Sequence, residues 1–133
     1  MLETISTPFG IGTVIEEHIL EVVVHSGIEL NRDIMLNGYS TLAELAGGKF
    51  VLLVDRTQSN YSLTLDALKE SGNHPDLLAQ ALLIPPYNEN GELAADMIVN
   101  FPRKNTLPVE FFSDRESALY WLRSHRDHYL RSL

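Results

Sequence analysis

Asp55-Arg56-Thr57 is the stretch whose residue types could do chemistry. A carboxylate, a guanidinium and a hydroxyl follow directly on the apolar run Phe50-Val51-Leu52-Leu53-Val54, and Ser59 and Ser62 add two more hydroxyls. Phosphate on Thr57, Ser59 or Ser62 would add a charge of about −2 beside the next helix, so these three are candidate regulatory positions. Asp55 and Arg56 are candidate contacts for a partner. The competing reading is local, with the aspartate accepting from nearby backbone amides and the arginine reaching into solvent.

Other sets are weaker. Ala94, Met97, Ile98 and Phe101 recur at i, i+3, i+4 and i+7. They could line a pocket for a small apolar or lipid-like ligand, with methionine as an adaptable wall, although the same spacing serves an ordinary core-facing helix. His125 and His128 flank Asp127 at a spacing two metal ligands could use. Cations near a helix C-terminus also complement its dipole, and no metal is expected. Gly10-Ile11-Gly12 lacks the third glycine and the following helix of a phosphate loop, and reads as tight turns. There is no Gly-x-Ser-x-Gly elbow and no evident triad. No catalytic residue and no cofactor is implied, so a non-enzyme is expected.

Composition narrows the partners. The chain has 133 residues, 44% hydrophobic and 21% charged, which suits one globular domain with its own core. The absence of cysteine removes disulfides and thiolate chemistry. Ten basic against 18 acidic residues give a net charge of −8, which repels phosphate backbones and argues against nucleic acid. No apolar run reaches the ~20 residues of a membrane span, and Met1-Leu2-Glu3-Thr4 does not resemble a signal peptide. A soluble cytoplasmic protein is the expectation.

The elements that must hold these residues follow from periodicity. Residues 1–12 read as a turn-rich lead-in. Thr13 to Glu17 and Ile19 to His25 read as an antiparallel hairpin. Asn31 to Ala46 forms a helix capped by Asn31 and ended by Gly47-Gly48, with Gly38 on its apolar face for close packing. Phe50 to Val54, continuously apolar, is a strand buried on both faces. A short helix spans about Ser62 to Glu70, capped by Ser62 or Thr64. Leu77 to Ile84 has helix propensity but only eight residues before Pro85-Pro86, and fits the alternating rhythm better as a strand. Asn88 to Asn100 is a helix and Pro108 to Phe112 a strand. Ser113-Asp114-Arg115-Glu116 is a capping box with Ser113 at the N-cap. It opens a last helix that turns Ala118, Leu119, Leu122 and Tyr129 inward and buries Trp121 at one flank. The sum is an α/β domain of order ββαβαβαβα, with a mixed, mostly parallel sheet of about five strands and four helices.

The tail Phe112-Ser113-Asp114-Arg115-Glu116-Ser117-Ala118-Leu119-Tyr120-Trp121-Leu122 resembles the F-x-D-x-x-x-A-L-x-W-L ending of small bacterial STAS-like proteins. These are relatives of the anti-sigma-factor antagonists, and some branches resemble the lipid-binding CRAL-TRIO domain. Val51-Leu52-Leu53-Val54-Asp55 is similar to their central strand, and Ala95 to Phe101 to their third-helix pattern. The likeness spans the chain in element order from about Gly12. It implies a single STAS-like domain over 1–133 that regulates or binds another protein through the loop after the central strand. The alternative is a carrier or sensor of a small apolar or lipid-like ligand. In the antagonists a phosphorylatable serine sits in an Asp-x-Ser-Gly context, and here no glycine follows Thr57, Ser59 or Ser62. A protein partner is expected, and a homodimer through a sheet edge or helix face is compatible with the sequence.

Overall fold

The computed structural model describes residues 3–57, 62–71, 73–84 and 107–133. Its layout follows from the central apolar run, which forms β5 (Phe50–Asp55), with Phe50, Val51, Leu52 and Leu53 fully buried. Successive strand residues face opposite sides, so a run with no polar break needs cover on both faces. Leu52 and Val54 belong to one core, with Tyr39 and Leu42 of α1 (Arg32–Ala46) and Ala67 of α2 (Leu65–Lys69). Val51 and Leu53 belong to the other, with Ala118, Leu119 and Leu122 of α3 (Arg115–Arg131). A helix layer therefore lies on each side of the sheet.

Among the described residues that sheet has six strands in the order β1-β2-β3-β5-β7-β8. In chain order these are β1 (Thr4–Ser6), β2 (Gly10–Glu16), β3 (Ile19–Val24), β5, β7 (Leu77–Leu83) and β8 (Val109–Phe112). The β1–β2 and β2–β3 pairs are antiparallel, while β3–β5, β5–β7 and β7–β8 are parallel. The hairpin, the central strand, the strand over Leu77 to Leu83 and the strand before the last helix all stand where the residue pattern put them, and the α/β mixed sheet is as expected. Glu17 and His18 turn the hairpin, with His18 at φ 63°. Asn31 caps α1 by accepting from the Ile34 amide at 2.9 Å, and Gly47 ends it at φ 74°, a left-handed conformation that glycine adopts without a Cβ penalty.

Several expectations are corrected. The expected turn-rich lead-in over 1–12 is corrected within its described part, residues 3–12, because Thr4–Ser6 is an edge strand and β2 already starts at Gly10. The turn between them is tied by Thr7, whose hydroxyl donates to Gly10 O at 2.7 Å. Gly10 and Gly12 are strand residues set by close packing, since a Cβ on Gly10 would lie 2.2 Å from Val23 O. Among the described residues the main sheet thus has six strands, against about five expected. A separate parallel ladder joins β4 (Glu29–Leu30) to β6 (Ser62–Leu63), so the short helix starts at Leu65 and its cap is Thr64, not Ser62. Three helices fall among the described residues; the fourth expected one, Asn88 to Asn100, lies outside them. Trp121 is half-buried, against Phe112 and His125.

The last helix is capped one residue later than expected. Asp114, not Ser113, is its N-cap, and its carboxylate accepts from the Ser117 amide at 2.9 Å and the Ser117 hydroxyl at 2.7 Å. A carboxylate takes both bonds at once and carries charge favourable to the helix dipole. The Ser117 hydroxyl, then the Ser117 amide, hold the Asp114 carboxyl below the usual range. Asp114→Ala is therefore expected to lower Tm by about 4 °C and Ser113→Ala to leave it almost unchanged, as thermal denaturation would show.

Candidate functional site

Polar residues meet at the carboxyl ends of the parallel strands, where open α/β sheets present their working groups. Asp55 ends β5, with Val23 and Leu83 as its neighbours in register. Its Oδ1 accepts from the Thr57 amide at 2.9 Å and the Thr57 hydroxyl at 2.6 Å. The Arg56 amide donates to Leu83 O at 3.0 Å, carrying the β5–β7 pairing into the turn. All three residues are half-buried. Asp55, Arg56 and Thr57 are thus brought together as one locked turn on a fully buried strand.

The other candidates separate from this turn. Ser62 is exposed on β6, where its amide donates to Ile28 O at 3.1 Å, so it does not open a helix. Ser59, Ala94, Met97, Ile98 and Phe101 lie outside the described residues.

One polar group escaped the sequence reading. Gln80 of β7 is 1% exposed and ties three elements together. Its Oε1 accepts from the Tyr39 hydroxyl of α1 at 2.9 Å, and its Nε2 donates to Ser71 Oγ, just after α2, at 3.1 Å. The available signal was a lone amide within Leu77-Leu78-Ala79-Gln80-Ala81-Leu82-Leu83, since a buried polar group needs partners. Gln80 borders a cavity of about 30 Å³ beneath α1, whose wall includes Phe9, Met35, Arg56 and Ser71. This is room for one or two water molecules, against about 300–1,000 Å³ for drug-sized ligand pockets.

On the opposite face, α3 is clamped to the hairpin. Glu16 accepts from Arg123 at 2.6 and 2.8 Å and from Arg126 at 3.3 Å, and Arg115 pairs with Glu21. The Arg123 hydrogen bond is the main cause holding the Glu16 carboxyl below its usual range. His125 packs edge-on to Trp121 with ring centroids 4.4 Å apart, and no cluster of three metal-ligating side chains occurs among the described residues.

Burial, then the nearby His128, pushes the His125 pKa below its ordinary 6.5. The unfolded chain therefore takes up this proton at higher pH than the folded one. Stability is unaffected above about pH 6.5, falls as the pH drops from there through the folded pKa, and is constant below it. Trp121 is the sole tryptophan, and a charged imidazolium against its indole quenches emission. Fluorescence should titrate with a midpoint below 6.5, and His125→Phe should abolish the transition. A midpoint at or above the ordinary value would contradict the desolvated ring.

Among the described residues, no helix is long and apolar enough to cross a membrane. No protein-family model matches the chain, and no curated protein matches it. Among solved structures it is similar to an uncharacterised protein of the DUF3478 family from Shewanella loihica PV-4, described as having a SpoIIAA-like fold. The two share 20% identity over 92% of each chain, with a TM-score of 0.46.

Proposed function

We propose that this is a non-enzymatic regulatory domain that binds a protein partner through the turn at the end of β5. The observation that supports it most is the double bond from Thr57 to Asp55 Oδ1, at 2.9 and 2.6 Å. It holds the Asp55 carboxylate and the Thr57 hydroxyl, both half-buried, in one conformation at the end of β5. A surface ordered before binding loses less entropy on association, and turns carried on a fixed scaffold commonly serve recognition. The Thr57 hydroxyl donates to Asp55 Oδ1 at 2.6 Å, a local bond that shapes the turn.

The test is capture of a partner from the native cell, followed by titration of the purified pair. Asp55→Lys, which reverses the charge and removes the acceptor, should weaken binding at least about tenfold. Equal binding by wild type and Asp55→Lys would place the interface elsewhere.

A further inference from the structure

We propose that the uncovered sheet row beside Asp55 receives a basic amphipathic helix of a protein partner, a reading that rests on the turn surface proposed above and extends it. Register carries one row of residues across the six described strands. Ser6 stands beside Ile11, Ile11 beside Val23, Val23 beside Asp55, Asp55 beside Leu83 and Leu83 beside Phe112. Leu83 lies in the core under α3, with Ala118, Leu119 and Leu122. At the other end of the row Ser6, Ile11 and Val23 are exposed, Ile11 to 42% and Val23 to 39%. An aliphatic pair thus faces solvent in the same row as the Asp55 carboxylate.

The neighbouring row shows how these strands otherwise meet water. Thr4, Thr13 and Glu21 are register neighbours on the same side, and Glu21 pairs with Arg115. Threonine is β-branched like isoleucine and valine, so strand propensity alone does not call for Ile11 and Val23 on a face that is otherwise polar. The charge beside them selects a cation. Among the described residues no cation pairs with Asp55, and a net charge of −8 repels an acidic partner. The spacing selects a helix. Adjacent strands lie about 4.8 Å apart, while same-face residues of an extended segment repeat at about 6.7 Å. Helical residues three or four apart are about 5–6 Å from one another. A helix crossing β2, β3 and β5 therefore seats aliphatic side chains on Ile11 and Val23 and a lysine or arginine one turn further on, at Asp55.

The experiment is titration of the protein, labelled at its isoleucine and valine methyl groups, with a synthetic amphipathic helical peptide. The peptide has about 18 residues, with leucine on one face and lysine flanking it. The proposal expects saturable NMR shifts at the Ile11 and Val23 methyl groups and at the Thr57 amide. A peptide with glutamate for lysine, and one with serine for leucine, should each bind at least about tenfold more weakly. The double variant Ile11→Thr with Val23→Thr keeps the branching of both strands and should unfold at nearly the wild-type temperature. It should nevertheless bind the leucine–lysine peptide at least about tenfold more weakly. No saturation by about 1 mM peptide, equal binding of the serine peptide, or equal binding by the double variant would overturn the proposal. Shifts confined to the Asp55–Thr57 turn would overturn it too while leaving the turn reading standing, since that reading fails only on equal partner binding by wild type and Asp55→Lys.

Discussion

Replacing Leu52 with alanine is expected to remove about 2–5 kcal/mol of folding stability. Leu52 is fully buried at the middle of β5, in register with Leu20 on one side and Gln80 on the other. Its side chain shares a core with Tyr39 and Leu42 of α1. Truncation loses the transfer free energy of the side chain and leaves a void. Strands flanking on both sides give the site little room to collapse. Domains of this size have only about 5–15 kcal/mol to lose, so the variant should sit near the edge of stability. Urea unfolding should show a lower midpoint with an unchanged slope. A loss below about 1 kcal/mol would mean that β5 is not the centre of the core.

Gly38→Ala tests a prediction in which packing and helix propensity disagree in sign. Propensity alone favours alanine inside a helix by about 1 kcal/mol. The added Cβ, however, would lie 2.0 and 2.1 Å from two carbons of the Phe9 ring. Phe9 is itself buried and packs edge-on to Tyr39, with ring centroids 6.0 Å apart. Its ring cannot retreat without disturbing that contact, so overpacking prevails and the variant should lose about 1–3 kcal/mol. Phe9→Leu in the Gly38→Ala background should recover part of the loss, a coupling that a double-mutant cycle would measure. A Gly38→Ala protein more stable than wild type would show that α1 does not pack this tightly on the β1–β2 turn.

The sequence made β5 legible because five apolar residues without a glycine or proline allow few other readings. β7 was legible despite its helix propensity, because Pro85-Pro86 leaves too little length for a helix. β1 was not, since Thr4 and Ser6 are polar and glycines nearby suggest turns; pairing with β2 decided its state. The two-residue ladder of Ser62–Leu63 with Glu29–Leu30 has no local signature at all. Ser113 and Asp114 are both good caps, and the choice between them follows from the geometry that β8 hands to the helix. The turn after Val54 could be located from its position behind a buried strand. The Gln80 tie could not, because its burial depends on a tyrosine 41 residues earlier in the chain.

The central claim is that the conformation of this turn creates the binding surface, and Asp55→Asn against Asp55→Ala tests it most directly. Asparagine keeps an Oδ1 that can accept from both the Thr57 amide and its hydroxyl, whereas alanine removes both bonds. Titration calorimetry of each variant with the captured partner should find Asp55→Asn within about threefold of wild type and Asp55→Ala at least about tenfold weaker. Asp55→Ala binding as tightly as wild type would contradict the account.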